Sequence, residues 1–404
     1  MVQANRILIV VHSLAGGGAE RVAADLSRYL LHRDRHVTLL TLTGDQPDDY
    51  GVPADIRRER IDIRLVAPSR FGRACLALAR HLGMRRKILA LDPDVVVSFV
   101  DQTNVRTILC LLGSKVPVIA AERVHPGHNP ISSFWQIARR VTYPLASAVT
   151  VQTDDGAHWF KRFTRVREAV VIPNAARFDG DVQAQAGANA LSVPRPLVLG
   201  MGRLTTQKGF DVLLKAFSRS GLAELGWHLA ILGEGPEREA LEGQVSSLGL
   251  TASVSLPGNV RDVGSWLRSA DMFVLSSRFE GFPNALLEAM QVGVPSVSFD
   301  CQSGPRELIQ HGVNGCLVRP DDAAALADQM RLLGLDPDLR ARLGGEATKV
   351  NETFSPERIY GRWLDLIETV AAGEFDARQD NASFSNAHED AGKSHLRGQR
   401  GAGS

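Results

Sequence analysis

Ser277-Arg278-Phe279-Glu280-Gly281-Phe282-Pro283-Asn284-Ala285-Leu286-Leu287-Glu288-Ala289-Met290, running on to Gly293, is the stretch whose reading decides the fold. The apolar run ending at Leu275 and Ser276 enters it as a strand, and Ala285, Leu286, Ala289 and Met290 leave it at helical spacing. The segment is therefore a strand, a tight loop and a helix start. Pro283 suits the first helical position, where a missing N–H costs nothing, and Gly281 lets the backbone approach a ligand closely. Unpaired amides and the helix dipole make such a place attractive to a phosphate.

Glu280 in the loop and Glu288 in the helix would repel that phosphate unless they hold other parts of the same ligand. Helical side chains lean toward the N-terminus, so Glu288 leans back toward the loop. A nucleotide sugar satisfies all three demands, with hexose hydroxyls at Glu280, diphosphate on the loop and the ribose diol at Glu288. The plainer alternative is a loop acid and a solvated helix acid.

Moving outward, 404 residues of ordinary soluble composition allow two domains, each with its own core. A net charge of +1 argues against a general nucleic-acid binder. Basic residues cluster at Arg57, Arg58 and Arg60, at Arg85, Arg86 and Lys87, and at Arg139 and Arg140. These clusters suit anionic lipid or a diphosphate, with a solvated surface as the default. Cys75, Cys110, Cys301 and Cys316 have no C-x-x-C or metal-ligand spacing, so no zinc site is expected and a reducing compartment fits. Ile7 to Val11 is too short for a signal segment or a membrane span. The expectation is a cytoplasmic chain, with any membrane contact peripheral.

Ile7 to Val11 reads as a strand, followed by Gly16, Gly17 and Gly18 and a helix with Val22, Leu26, Tyr29 and Leu30 on one face. Arg21 stands where the dinucleotide fingerprint needs its third glycine, which weakens a nicotinamide reading. Val37–Leu42, Ile61–Val66, Val95–Phe99, Val118–Ala120, Ala148–Gln152 and Val170–Ile172 follow as short strands among helical patterns. That alternation predicts a mostly parallel sheet covered on both faces, with ligand loops at the carboxyl ends of its strands. The loop after Ala120 holds Glu122, Arg123, His125 and His128. His125 there either hydrogen-bonds a sugar hydroxyl or is a surface histidine with no role. Ser132 to Ala146 is amphipathic, with Phe134, Trp135, Ile137, Ala138, Val141 and Tyr143 beside Arg139 and Arg140. The stripe is read as core in preference to a bilayer-facing helix.

From Asn174 to Pro196 the character changes to a linker, and a second series of strands begins at Leu197–Met201. Arg203 and Lys208 flank its first loop, where a fork donor and a point charge can neutralise a diphosphate. The remaining strands each deliver a glycine-bearing loop to the same edge, with Ser303 and Gly304 placed to close over a ligand. Helical patterns then lead to Trp363 and Leu366, and the polar stretch beyond Ala372 is expected to be disordered.

Gly16 to Gly18 with Ala19, Glu20 and Arg21, the Gly202-Arg203 to Lys208-Gly209 stretch, and Glu280 and Glu288 with seven residues between them together resemble glycosyltransferase family 4. The resemblance implies an α/β chain of GT-B architecture, two Rossmann-like doubly wound domains facing across a cleft. Its divisions would be an acceptor-binding domain over 1–174, a linker over 175–195, a nucleotide-sugar domain over 196–350, a helix over 351–372 returning to the first domain, and a tail over 373–404. It also implies retaining, metal-independent transfer without a cofactor. By position, Arg203 and Lys208 would hold the donor diphosphate with the helix start at Pro283, Glu280 with the Gly281 and Phe282 amides the sugar, Glu288 the ribose, and the backbone near Val260 the base. Gly16, Gly17 and Gly18 would meet donor phosphate and acceptor, and His125 lies where some members place a catalytic histidine. The bacterial polysaccharide-assembly members it resembles favour UDP-sugars over GDP-sugars, and polyprenyl-diphosphate-linked glycans as acceptors. No residue is compelling as a covalent nucleophile, so front-face displacement is expected. A GDP-mannose-dependent mannosyltransferase, a nucleotide-sugar epimerase of the same architecture and a non-catalytic nucleotide-sugar-binding subunit are the alternatives.

Overall fold

The computed structural model describes residues 4–15, 17–43, 51–62, 70–125, 127, 131–166, 169–176 and 194–375. Gly16, His128, most of the expected linker (177–193) and the tail from 376 onward lie outside them. Contacts divide the chain into two compact units, one ending at Ile172 and resuming at Tyr360, the other spanning Pro173–Ile359.

The first unit runs β1 (Arg6–Val11), α1 (Gly18–Leu31), β2 (His36–Thr41), β3 (Arg57–Arg60), α2 (Arg70–Ala90), β4 (Val95–Phe99), α3 (Asp101–Leu111), β5 (Val118–Ala121), α4 (Ser133–Thr142), β6 (Ala148–Val151), α5 (Asp154–Phe163) and β7 (Val170–Val171). Its strands pair in parallel in the order β3-β2-β1-β4-β5-β6-β7. Strands buried on both faces read as continuous apolar runs, which is why β1 and β4 were legible. Leu8, Val10, Val96, Ala120 and Val149 form one core with Met84, Ile88, Val105, Ile108 and Phe160, so α2, α3 and α5 cover that face. Phe99, of opposite parity, meets the ring of Trp363 on the last helix, and Tyr29 of α1 meets Tyr360.

Two expectations are corrected here. The third strand is not the apolar run from Ile61 to Val66 but the preceding Arg57–Arg60, in register with Thr38–Thr41; residues 63–66 lie outside the described residues. An edge strand needs only its backbone ladder, and charged side chains suit it. The α4 stripe is core only in part, through Trp135, Ala138 and Tyr143. Phe134, Ile137 and Val141 are exposed, while Arg139 is buried and Trp135 and Ala138 pack inward. Periodicity identified the two faces of the helix but not which one the sheet covers.

The second unit runs β8 (Leu197–Met201), α6 (Phe210–Ser220), β9 (His228–Leu232), α7 (Arg238–Ser247), β10 (Val254–Gly258), α8 (Val263–Ser269), β11 (Met272–Leu275), α9 (Asn284–Gln291), β12 (Ser296–Phe299), α10 (Pro305–Leu308), β13 (Cys316–Val318), α11 (Ala323–Leu335), α12 (Pro337–Ala347) and α13 (Val350–Thr353). Its six strands are again all parallel, in the order β10-β9-β8-β11-β12-β13. The last helix, α14 (Pro356–Ala372), carries Tyr360, Trp363 and Ile367 into the first unit's core. Among the described residues no helix is long and apolar enough to cross a membrane.

Candidate functional site

In the second unit, the loops leaving β8, β9, β11 and β12 meet at the carboxyl edge of the sheet, held mainly by backbone. After β8, the Leu204 amide donates to the Glu234 carbonyl at 2.9 Å, and a Cβ on Gly235 would lie 2.2 Å from the Leu204 carbonyl oxygen. No side chain fits at 235. Gly209 has φ +61°, and a Cβ there would sit 2.1 Å from the Ser276 carbonyl oxygen, so the β8 loop lies directly on the end of β11. The Arg278 amide donates to the Gln207 carbonyl at 2.8 Å, and Gln207 Nε2 donates to the Phe279 carbonyl at 3.0 Å. Arg278 forks onto both carboxylate oxygens of Asp211 at 2.9 Å and reaches Asp321 at 3.0 Å. From the other side, Gly304 (φ +103°) brings its backbone so close that a Cβ would meet Pro283 Cδ at 2.6 Å.

This scaffold fixes the residues singled out in the sequence. Glu280 is buried and pairs with Lys208, Nζ to Oε1 at 2.7 Å. These two side chains, assigned by position to different parts of one ligand, lie in direct contact with each other. Arg203 is exposed, and its guanidinium has no hydrogen-bond or ion-pair partner among the described residues. Phe282 buries its ring against Phe354, 5.8 Å between centroids, which leaves its backbone as the available part. The N–H groups of Gly281 and Phe282 donate to nothing among the described residues. Glu288 is buried on the second turn of α9, so the reading of a solvated helix acid fails. Val260 is half-buried on the loop after β10, with no backbone hydrogen bond among the described residues.

Pro283 is corrected by one position. It is the N-cap (φ −82°, ψ 79°), and α9 begins at Asn284, whose amide donates back to the Phe282 carbonyl at 3.0 Å. The Pro283 carbonyl, which accepts from Leu287 at 3.0 Å, already serves the helix and so fixes that position. Sequence reasoning also missed Asn174, whose Nδ2 donates to Asn284 Oδ1 at 2.5 Å, and Cys301. Burial, and beyond it the Glu280 carboxylate, push the Cys301 thiol up to about 12, so it stays protonated beside the pair. Contacts between residues so far apart in sequence leave no local pattern to read.

In the first unit the candidates sit at the ends of β1 and β5. Gly17 is the extended N-cap of α1, and Gly18 is its first residue. His125 is buried, which removes the reading of an idle surface histidine. Its Nδ1 accepts from the Gly127 amide at 3.2 Å, and its Nε2 lies 3.0 Å from Asp155 Oδ2. Beneath it the Tyr143 hydroxyl donates to Glu122 at 2.8 Å, and Asn104 donates to Tyr143 at 2.9 Å. Burial raises the Glu122 carboxyl to about 7 and lowers the Arg123 guanidinium to about 10. Among the described residues no three His, Cys, Asp or Glu side chains cluster to hold a metal ion.

Two parallel Rossmann-like sheets, the second carrying a cation, an ion pair and free amides at its carboxyl edge, define a doubly wound α/β protein. Comparison with known proteins places it within that class. Residues 16–178 match Glycosyltransferase Family 4 and residues 181–350 match Glycosyl transferases group 1. An uncharacterized glycosyltransferase of Haemophilus influenzae is 30% identical over 363 residues, 87% of this chain and 97% of the relative. A Campylobacter jejuni α-1,4-N-acetyl-D-galactosaminyltransferase, named for a GalNAc-bearing diNAcBac-PP-undecaprenol, is 26% identical over 90% of this chain and 99% of its own. The structure of Anabaena HepE in complex with UDP and glucose superposes with a TM-score of 0.69 at 21% identity, covering 89% of this chain and 98% of that one. The chain belongs to glycosyltransferase family 4 and has the GT-B fold. It is therefore a transferase, and the epimerase and nicotinamide readings are set aside.

Proposed function

We propose that this glycosyltransferase moves a hexose or N-acetylhexosamine from a UDP-sugar, with retention at the anomeric carbon, to a sugar hydroxyl of a polyprenyl-diphosphate-linked glycan in assembly of a bacterial surface polysaccharide. The observation that carries the reading is the Lys208–Glu280 pair beside the unpaired Arg203 and the free Gly281 and Phe282 amides. UDP in the HepE structure and the lipid-linked glycan in the Campylobacter relative's name support the donor base and the acceptor.

In this reading Arg203 and Lys208 take the two phosphates, and Glu280, released from Lys208, accepts from the sugar hydroxyls. The acceptor oxygen attacks the anomeric carbon from the face the diphosphate leaves. The C–O bond to phosphate breaks as the new one forms, and the acceptor proton passes to the departing phosphate oxygen. Arg203, Lys208 and the loop amides stabilise the charge developing on that phosphate, so no metal is required. Glu288 holds the ribose, the backbone at Val260 the base, and Gly16, Gly17, Gly18 and His125 serve the acceptor side.

The test is nucleotide release from a panel of UDP- and GDP-sugars, with and without bacterial lipid extract, for the native chain and Glu280→Gln. Release of UDP from one donor, raised by lipid and lost in the variant, is the expected result. Release from GDP-mannose alone would replace the donor, and lipid-independent release would remove the acceptor.

A further inference from the structure

Arg278 stands in the stretch that decided the fold, yet neither the donor nor the acceptor reading gives it a role. Every nitrogen of its guanidinium is engaged, on three separate pieces of the second unit. Nη1 and Nη2 fork onto the Asp211 carboxylate in the first turn of α6, each at 2.9 Å. Nη1 also donates to the Thr206 carbonyl at 2.5 Å, and Nε lies 3.0 Å from Asp321 in the loop between β13 and α11. Asp321 itself holds φ +57°, in the left-handed region that aspartate tolerates better than most residues. A lysine offers a point charge and no planar fork, so it cannot serve these three partners at once.

The clamp holds the far end of the β8 loop. Thr206–Lys208 form one 3₁₀ turn, fastened to the β11 loop residue by residue. Thr206 accepts from the Arg278 side chain, Gln207 exchanges bonds with the Arg278 amide and the Phe279 carbonyl, and the Lys208 carbonyl accepts from Ser276 Oγ at 2.8 Å. Lys208 then reaches Glu280. The near end of the same loop is held differently. The Leu204 amide donates to the Glu234 carbonyl and the Glu237 amide donates to the Leu204 carbonyl at 3.1 Å, so Arg203 is anchored from the β9 loop without Arg278. The two cations proposed for one diphosphate therefore have separate anchors. At the opposite edge, a second arginine fork joins the same two strands away from these loops. Arg195, just before β8, donates to Asp271, just before β11, at 2.7 and 3.3 Å.

We propose that Arg278 is a positioning residue of the donor site, a side-chain clamp that sets Lys208, and with it the Lys208–Glu280 spacing, without touching the ligand. The proposal rests on the donor reading above. It is tested by titration calorimetry with UDP, with a melting temperature measured for each protein. Arg278→Ala should lower UDP affinity by about fivefold to tenfold, because a slightly misplaced binding group loses much of its effect. Melting temperature should move by no more than about two degrees, since partly exposed ion pairs contribute little to global stability. Arg278→Lys keeps the charge, loses the fork and should bind UDP nearly as weakly. Arg195→Ala should leave UDP affinity unchanged. In a Lys208→Ala background, Arg278→Ala should cost less than about twofold more, whereas in an Arg203→Ala background the two losses should multiply.

Native-like UDP binding by Arg278→Ala or by Arg278→Lys overturns the proposal. Losses that multiply in both backgrounds also overturn it and make Arg278 a ligand contact or a general brace of the sheet edge. A melting temperature that falls in step with UDP affinity across the variants, Arg195→Ala included, overturns it and assigns Arg278 to stability alone. Failure of the native chain to bind either UDP or GDP removes the donor reading itself, a result distinct from every comparison among the variants.

Discussion

The two units share a parallel-sheet plan but fix their polar groups in opposite ways. At the carboxyl edge of the second sheet, backbone lies on backbone: Gly235 against Leu204, Gly209 against Ser276, Gly304 against Pro283. Of the side chains at that edge, Arg203 is exposed and Lys208 is paired to the buried Glu280. In the first unit Glu122, Arg123, Asn104 and His125 are sunk beneath the rim and fixed by burial, which raises the Glu122 carboxyl and lowers the Arg123 guanidinium. A diphosphate bound through amides requires a fixed main chain, whereas a buried side-chain network gives fixed orientation without open contact.

The largest break in this comparison comes from Glu280→Gln. Its partner in the proposed reaction is the sugar, so transfer should fall by about a hundredfold or more while UDP affinity stays within about threefold. UDP release and titration calorimetry read the two quantities separately. An equal loss of UDP affinity would show that the carboxylate acts mainly by holding Lys208 in place. Next in size is Arg203→Ala, which should weaken UDP by roughly tenfold or more, because its proposed partner is charge, and flatten the salt dependence of binding. Unchanged UDP binding removes Arg203 from the site.

A pair of glycine substitutions tests the claim about backbone. At Gly235 a methyl meets the Leu204 main chain at 2.2 Å, so Gly235→Ala should displace the β8 loop, weaken UDP and cost about 1–3 kcal/mol of stability. At Gly243, in the interior of α7, nothing lies within 4 Å of the added methyl, and Ala there should stabilise by up to about 1 kcal/mol. If both variants behave alike in thermal melting and UDP titration, close approach is not what positions the loop.

The legible parts of the molecule were those with local signatures. β1, β4 and β11 are short apolar runs closed by turn residues, and Gly281 and Glu280 stand where a ligand loop should be. β3 escaped because Arg57–Arg60 has no apolar alternation; its pairing with β2 is a backbone matter. The α4 stripe was read inward because periodicity shows that a face exists, not what covers it. The Lys208–Glu280 pair joins residues 72 apart, and Asn174–Asn284 joins residues 110 apart, so no window of sequence holds either.

The smallest expected effect belongs to the first unit and tests the other half of the comparison. Glu122 accepts from Tyr143 at 2.8 Å and lies 3.9 Å from Arg139, yet burial outweighs the arginine and raises its carboxyl from about 4.5 to about 7. The folded chain thus keeps a proton that the unfolded chain has lost between those values. Folding is favoured by this group below about 4.5, and that contribution disappears as pH rises through about 7. Glu122→Gln retains a carbonyl to accept from Tyr143 and cannot titrate, so its melting temperature should lack the decline of a few degrees that the native chain shows across this window. Transfer activity at fixed pH should change little, since the side chain is buried and paired within its own unit. Parallel melting curves for the two proteins from pH 4.5 to 7 would mean that Arg139 keeps Glu122 ionised, and that this network is held together by a charge pair and not by a shared proton.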